Sequence, residues 1–323
     1  MAFTIYNSSD SGAPTLNGNA GSLLTVLDAV LVTGYGAKTA AGWWKPFPNT
    51  SSYGMYMQGT GSSTCSLFVY DNASGSVGAE AQLTGWDSIT AIDNGKVTGS
   101  NQFPTVAQVG PGSGSVTVRK STTSDSTARA WYIFADSHSM YGFIQALDAD
   151  RGYRAFMFGD YYSIRSGSVE TNRCIIMGRN VGSSSTVAGD RLDVLGASLL
   201  TGVNGCYAAH LYSGLGTSSL LNKHGDGIKG STTALNGNVP FLNPQDNGFY
   251  ISPIWLADSS TGIVRGRMRG FYQICHATTS LVDAQTFTSS ADFPGRTFQV
   301  VQKSANAGTY FIETSNTLET NNP

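Results

Sequence analysis

The sequence contains few charged residues. Asp, Glu, Lys and Arg make up 12 % of its 323 residues, and the formal net charge is −2, whereas roughly 25 % charged residues is usual in globular proteins. The chain has no basic tail, although a nucleic-acid-binding surface needs clustered Lys and Arg to neutralise phosphates. We therefore expect no direct nucleic acid partner. The low charge is typical both of many secreted β-proteins and of subunits whose surface is covered by neighbours.

Long apolar runs are also missing. The nearest candidate, Leu23 to Val32, contains Asp28 and is shorter than the roughly 18 apolar residues that a membrane-spanning helix requires. The N-terminal residues carry neither the charged nor the apolar region of a secretion signal. The sequence thus predicts a protein made in the cytoplasm, without a membrane span.

Cysteines are few and widely separated, at Cys65, Cys174, Cys206 and Cys275. None belongs to a Cys-x-x-Cys pair, which argues against a zinc knuckle or a redox motif. Their neighbours in the sequence resemble strand interiors, so we predict buried free thiols rather than disulfides.

Known catalytic and ligand-binding motifs are absent as well. The chain has no Gly-x-Ser-x-Gly, His-Glu-x-x-His, EF-hand, Walker or dinucleotide-binding pattern, so we predict no enzymatic activity, no cofactor and no metal. Lys223, His224 and Asp226 form the densest set of proton-carrying groups. They have the chemistry for acid–base catalysis or cation binding, but the Asp-Gly step there favours a tight turn. The segment Asp136–His138 is likewise interpreted as a polar turn.

What the sequence does contain is a series of short apolar and aromatic runs separated by Gly, Ser, Asn and Asp. Such spacing is typical of antiparallel strands joined by turns. We predict a mainly β fold, with an antiparallel β-sandwich or jelly-roll-like body. The predicted strands are Tyr53–Met57, Cys65–Tyr70, Ser115–Arg119, Trp131–Asp136, Met140–Ile144, Arg154–Ile164, Arg173–Met177, Gly248–Leu256, Gly262–Ile274, Arg296–Val301 and Thr309–Thr314.

Two stretches rich in Gly and polar residues divide this pattern. The first, residues 110–115, suggests a boundary between an N-terminal anchoring part (1–110) and the main β-sandwich body (111–323), and one continuous domain is the alternative. The second, Leu215 to Pro244, is interpreted as a loop. A loop of that length is usually functional or ordered by a partner.

A short amphipathic helix is predicted near the N-terminus. Ser22 is the predicted N-cap, and Gly34 or Gly36 is predicted to end the helix. A weaker second helix is predicted at Arg191 to Leu200. The apolar face of the first helix comprises Leu23, Leu24, Leu27, Val30 and Leu31.

The adjacent residues Trp43 and Trp44 follow this helix. Two consecutive indoles in an extended segment cannot both face one core, so we expect one of them to meet a neighbouring chain or a ligand. The segment Leu23 to Phe47 is therefore interpreted as an anchor. Deleting residues 1 to 47 should then leave a soluble body that no longer attaches to its assembly.

Three arginines, Arg265, Arg267 and Arg269, occupy alternate positions and would lie on one face of a strand. Such a face is able to bind an anion. An exposed strand face or a set of salt bridges between subunits is the interpretation that we favour.

Several motifs distributed along the chain resemble those of one family. They are Gly21–Ala29, Leu31–Lys38, Ala40–Trp43, Phe103–Thr105, Val118–Ser121, Phe158–Ser163, Lys223–Asp226, Arg265–Phe271 and Ile312–Thr317. In these motifs the chain resembles a family of tailed-bacteriophage virion structural proteins with no assigned activity. The resemblance extends over nearly the whole chain, and it implies a place in the virion without supplying catalytic residues.

The resulting hypothesis is a virion protein that is assembled in the host cytoplasm. It would contact other phage proteins, and copies of itself in a symmetric oligomer, in the tail, baseplate or neck. The alternatives are a capsid decoration protein and a module that binds carbohydrate or a host receptor, with a host surface glycan as possible partner. The predicted assembly interface comprises Leu23, Leu27, Val30, Trp43, Trp44, Phe47, Lys223, His224, Asp226, Arg265, Arg267 and Arg269.

Overall fold

A computed structural model describes most of the chain as strands. The described residues are 2–59, 63–72, 79–93, 95–109, 114–146, 153–165, 173–180, 204–211, 219–225, 251–274, 281–289, 294–304 and 307–315. Within them the protein is mainly β, with curled antiparallel sheets and a short helix near the N-terminus, which confirms the predicted fold class. No helix in these ranges is both long enough and apolar enough to cross a membrane.

The helical and strand segments follow one another along the chain. The helical segments are α1 (Ser22–Leu27), a π-helical turn (Asp28–Thr33) and α2 (Val106–Val109). The strands are β1 (Thr4–Asn7), β2 (Tyr53–Met57), β3 (Ser66–Tyr70), β4 (Ala79–Asp93), β5 (Lys96–Phe103), β6 (Val116–Ser121), β7 (Trp131–Ala135), β8 (Ser139–Ile144), β9 (Arg154–Asp160), β10 (Tyr162–Ser163), β11 (Cys174–Asn180), β12 (Asn204–Ala208), β13 (Ser219–Gly225), β14 (Ile251–Asp258), β15 (Val264–Ile274), β16 (Thr286–Thr288), β17 (Thr297–Ser304) and β18 (Ala307–Glu313).

A central sheet is buried on both faces. Its strands pair in the order β1, β7, β8, β9, β11 and β12. Successive side chains belong to different cores: Ile133 and Phe158 to the first, Phe134 and Met157 to the second. Burial on both faces explains why these strands are continuous apolar runs in the sequence.

Two outer layers cover the central sheet. The first core is closed by α1 and by one face of β2, β3, β4 and β6, and β6 joins the central sheet through β11. The second core is closed by β14, β15 and β18, which β13 connects to β12. The sheets therefore enclose two stacked cores.

The predicted N-terminal helix is confirmed, with a different cap. Helix α1 continues into the π-helical turn, which ends at Gly34 with a φ of 77°. The predicted apolar face is buried in the first core. The cap is wrong, however, because Gly21 precedes the first helical residue and Ser22 lies inside the helix, where its hydroxyl donates to the Asn17 carbonyl oxygen.

The helix is capped by a side chain that is distant in the sequence. The Asp71 carboxylate, just after β3, accepts a hydrogen bond from the Leu23 N–H at 2.8 Å. Lys120 on β6 places its Nζ 2.5 Å from the other oxygen of Asp71, and both side chains are fully buried. Lys120 also donates to the Asn19 carbonyl oxygen at 2.6 Å. A carboxylate is favoured at a helix N-terminus. Because Asp71 follows β3 and Lys120 lies on β6, this ion pair connects α1, β3 and β6.

The proposed boundary near residue 110 does not correspond to a break in the fold. Strand β1 pairs with β7, and β4 pairs with β6. The first core extends from Tyr6 to Ala209 and includes the helix. Deleting residues 1 to 47 would remove β1 and much of this core, so we now expect that the remaining residues would not fold as a soluble body.

The long predicted loop contains a strand. Ser219–Gly225 forms β13, which pairs with β14 through five residues on each strand. Residues 215–218 and 226–244 of the predicted loop lie outside the described residues, as does the helix predicted at Arg191 to Leu200. The interpretation of Leu215 to Pro244 as a long loop poor in strands is therefore wrong for Ser219–Gly225, which forms β13.

Candidate functional site

The two adjacent tryptophans have opposite environments. Trp43 is 3 % exposed and Trp44 is 50 % exposed. The Trp43 Nε1 donates to the Asp136 carbonyl oxygen at 2.7 Å, and its ring lies 5.9 Å from the Phe158 ring. The prediction that the two indoles cannot share one core is confirmed. Of this pair, only Trp44 offers a large apolar surface to a partner.

The arginine strand β15 faces largely inward. Arg265 is 0 % exposed and Arg269 is 6 % exposed. Arg265 donates to the His210 carbonyl oxygen at 2.7 Å, and half-buried Arg267 lies 5.6 Å from the Tyr162 ring. The interpretation as an exposed strand face is therefore wrong for Arg265 and Arg269, because these guanidinium groups bind within their own chain.

Asp136 brings two of the predicted interface residues together inside the protein. Its carboxylate accepts paired hydrogen bonds from Arg269, at 3.1 and 2.8 Å, and its carbonyl oxygen accepts from Trp43. The same carboxylate accepts from the backbone N–H groups of His138 and Ser139, both at 2.8 Å. The predicted β7–β8 hairpin is confirmed, and its polar turn is a junction between the central sheet and both outer layers.

The remaining predicted interface residues are divided between interior, intermediate and undescribed positions. Leu23, Leu27 and Val30 are fully buried in the first core, so their side chains are not available to another subunit. Phe47 is half-buried. Lys223 and His224 lie in β13 opposite Leu256 and Trp255, and Asp226 lies outside the described residues.

Further ion pairs are buried between strands. Arg179 on β11 pairs with Glu80 on β4, and Arg296 pairs with Glu313 on β18. The pKa of the Arg296 guanidinium is raised: burial lowers it, but Glu313 and the Tyr272 hydroxyl outweigh that effect. In the part of the chain that the structure describes, these pairs join segments of the protein that are distant in the sequence.

Two cysteines lie together in the first core beside an aspartate–histidine pair. Asp87 lies 2.9 Å from the His210 Nε2 and 3.9 Å from the Cys65 Sγ. The carboxylate is therefore placed between thiol and imidazole, an order that does not let the imidazole activate the thiol. The prediction of buried free thiols is confirmed for Cys65, Cys174 and Cys206, whereas Cys275 lies outside the described residues.

These thiols are expected to resist alkylation. The hydrogen bond from Cys174 lowers the pKa of Cys65, but burial and the Asp87 carboxylate raise it more. Burial raises the pKa of Cys174 well above the ordinary value. Because the thiolate is the nucleophile, native protein at pH 8 should show little labelling of Cys65 and Cys174 by iodoacetamide, and unfolded protein full labelling. Mass spectrometry of digests measures this, and rapid labelling of either residue in the native state would contradict it.

Among the described residues, a groove and a cleft are open to solvent. A groove of about 660 Å³ runs beside α1 and is lined by Asn17, Asn19, Asp28 and Tyr35, among others. Asp28 also pairs with Lys45, the residue after Trp44, at 2.7 Å. The second region is a cleft of about 390 Å³ formed by β3, β4 and β5. Neither the groove nor the cleft was predicted from the sequence.

Neither a search for metal-binding residues nor a comparison with known proteins assigns a function to this chain. In the described part of the chain, no three His, Cys, Asp or Glu residues are grouped closely enough to hold a metal ion. No known protein family matches the sequence, and no curated protein is detectably similar to it. The resemblance to virion proteins therefore stays a prediction.

Proposed function

We propose that this protein is a structural component of a tailed-bacteriophage virion, assembled in the host cytoplasm through contacts with other virion proteins and with copies of itself. The resemblance in sequence motifs supports the virion assignment. The structural observation that carries the proposal is the use of buried ion pairs to join the layers of the fold. Such a chain is suited to holding a fixed shape.

The buried pairs lie between segments that are far apart in the sequence. Asp71 and Lys120 connect α1, β3 and β6, and Asp136 and Arg269 connect the central sheet to β15. A buried ion pair needs good geometry, because each charge loses its hydration. We infer that these pairs favour one arrangement of the layers. A uniform subunit shape is what a symmetric assembly requires.

The contact with the particle is proposed to centre on Trp44. Its side chain is half exposed, and the neighbouring Lys45 pairs with Asp28, which lines the groove beside α1. Tryptophan is enriched among the residues that contribute most to protein–protein binding. The groove and Trp44 replace the buried helix residues as the proposed interface in the N-terminal segment.

Replacing Trp44 with alanine should reduce incorporation into particles by at least about tenfold, the effect of losing one strongly contributing interface residue. Its exposure implies that the free protein keeps its fold. Phage assembled in cells that supply the variant are purified by density gradient, and the bound protein is quantified by mass spectrometry. Electron microscopy of the wild-type particle would distinguish tail, baseplate and neck from a capsid-decorating position.

A matched control is Trp86→Ala, which removes a half-buried tryptophan on a different surface and should be incorporated normally. Normal incorporation of Trp44→Ala would contradict the proposed interface. Absence of the wild-type protein from purified particles would contradict the virion function itself.

A further inference from the structure

Two buried cysteines from different layers of the fold are in contact. Cys65 immediately precedes β3, in the outer layer of the first core, and Cys174 is the first residue of β11 in the central sheet. The Cys174 thiol donates a hydrogen bond to the Cys65 sulfur. Neither residue has exposed surface. They are 109 positions apart in the sequence, so it is the fold that brings the two thiols together.

The backbone beside Cys65 is strained. Thr64 has a φ of 59°, in the left-handed region that a β-branched residue rarely adopts. The Thr64 side chain is exposed, whereas Cys65 next to it is buried. On the other side of Thr64, the Ser63 hydroxyl oxygen accepts a hydrogen bond from the Arg173 N–H at 2.8 Å, and Arg173 directly precedes Cys174. Strained conformations of this kind are typical of functional positions. Here the strained turn places Cys65 beside the start of β11.

A second set of hydrogen bonds fixes the position of Cys65. Its N–H donates to the Gln58 side-chain oxygen at 3.0 Å, and the Gln58 Nε2 donates to the Asp160 carboxylate at 2.8 Å. Asp160 lies opposite Cys174 in the pairing of β9 with β11. Cys65 is therefore connected through buried polar groups to the strand that runs beside Cys174. Its approach to Cys174 does not depend on apolar packing alone.

We propose that Cys65 and Cys174 form a disulfide when the protein passes from a reducing to an oxidising environment. The bond joins the outer layer that contains β3 to the central sheet. Disulfides persist in oxidising compartments, whereas cytosolic thiols keep cysteines reduced, so the state of this pair follows the environment of the protein. The inference does not rest on the proposed virion function.

The oxidant is a low-molecular-weight disulfide, such as oxidised glutathione. The thiolate of one cysteine attacks a sulfur of this disulfide, whose S–S bond breaks, and the released glutathione takes up the proton that the cysteine lost. The thiolate of the other cysteine attacks the protein sulfur of the mixed disulfide and releases the second glutathione. Two protein thiols are oxidised, and one glutathione disulfide is reduced to two thiols. Because both cysteines are buried, the exchange requires local opening of the fold, which agrees with the expected resistance to alkylation.

Cys206 provides an internal comparison. It is also a buried free thiol, but it lies on β12 opposite Met177, and both residues belong to the second core. Cys65 and Cys174 belong to the first core, which lies on the other face of the central sheet. The geometry therefore predicts one particular pairing and not a general oxidation of the cysteines.

Refolding of the urea-unfolded full chain tests the proposal. One sample is refolded with reduced and oxidised glutathione, a second with dithiothreitol, and digests with blocked thiols are analysed by mass spectrometry without reduction. The linked peptides of Cys65 and Cys174 should be the main disulfide in the first sample and absent from the second. The oxidised protein should also unfold at a urea concentration higher by about 1 M, because a disulfide that closes a loop of about 100 residues restricts the unfolded chain.

Three variants complete the test. Cys206→Ala is the matched control and should show the same oxidation-dependent shift of the urea midpoint as the wild type, whereas Cys65→Ala and Cys174→Ala should lose that shift. A different main pairing, the absence of any disulfide, or equal midpoints of the oxidised and reduced wild type would each overturn the proposal. Should a variant fail to fold, as judged by circular dichroism, the peptide map and the two midpoints of the wild type decide.

Discussion

Replacing Lys120 with methionine is expected to lower the free energy of unfolding by about 3–5 kcal/mol, because it leaves the Asp71 carboxylate buried without its counter-charge. Neither side chain has exposed surface, and the Lys120 Nζ lies 2.5 Å from the carboxylate. The loss would be a large fraction of the roughly 5–15 kcal/mol that stabilises a typical domain. Urea denaturation at neutral pH, followed by circular dichroism, measures it.

The loss should depend on pH. Burial already raises the pKa of Asp71, against the opposing effect of Lys120, and removing that charge raises the pKa further. A carboxyl with a higher pKa in the folded state binds its proton preferentially there, so the free energy of unfolding falls as the pH rises above about 4, the pKa of an unfolded Asp. The deficit of Lys120→Met relative to wild type should therefore be smaller near about pH 4 than at neutral pH.

Two further variants separate the buried pair from a general effect of removing lysine. Lys45→Met disrupts the partly exposed pair with Asp28, at 2.7 Å, and should cost less than about 1 kcal/mol. The double variant Asp71→Asn/Lys120→Met removes both charges but keeps an acceptor for the Leu23 N–H, so it should be more stable than Lys120→Met alone. A double variant that is less stable would show that the unpaired carboxylate is not the cause.

The N-terminal helix shows which structural features can be predicted from the local sequence and which cannot. Its apolar face and its end at Gly34 follow from the spacing of residues within two turns, and both are confirmed. Its cap does not follow, because the accepting carboxylate of Asp71 is 48 positions away from Leu23. Only the packing of β3 against the helix brings these groups together.

Neither the β4–β5 hairpin nor the cleft beside it was predicted from the sequence. In its strands Gly, Ser, Asp, Asn and other polar residues separate the apolar residues, so the strands lack the continuous apolar runs of the central sheet. A signal was nevertheless present, because residues 94 and 95 are Asn-Gly, the strongest short-range indicator of a two-residue hairpin. Reading that dipeptide as a turn would have placed Trp86 and Gln102 on facing strands.

For the arginines of β15, the local sequence led to a wrong prediction of exposure. Their alternation suggested an exposed charged face, but Arg265 and Arg269 are buried. Which face of a strand is buried depends on the segments that pack against it in the folded protein, and the alternation of residues does not show this. Here the partners are Asp136 and the His210 carbonyl oxygen, which the sequence alone does not place near β15.

Replacing Arg269 with methionine should destabilise the protein by a similar amount, about 3–5 kcal/mol, because the buried Asp136 carboxylate would lose two charge-assisted hydrogen bonds. The guanidinium also donates to the Ser139 hydroxyl at 3.0 Å and lies 5.8 Å from the Phe3 ring. Since the Asp136 carbonyl oxygen accepts from Trp43, the near-ultraviolet circular dichroism of the folded variant should also change.

Arg269→Lys is the matched control, because it keeps the positive charge and removes the planar guanidinium group. Lysine keeps the positive charge but offers no paired N–H groups to the two carboxylate oxygens, so its loss should lie between those of the wild type and Arg269→Met. Asp136→Asn/Arg269→Met removes both charges, and comparison with the two single variants gives their coupling energy. If Arg269→Met and Arg269→Lys were equally stable, the ion pair would not hold β15 to the β7–β8 turn. Strand packing alone would then have to fix the position of β15 against the central sheet.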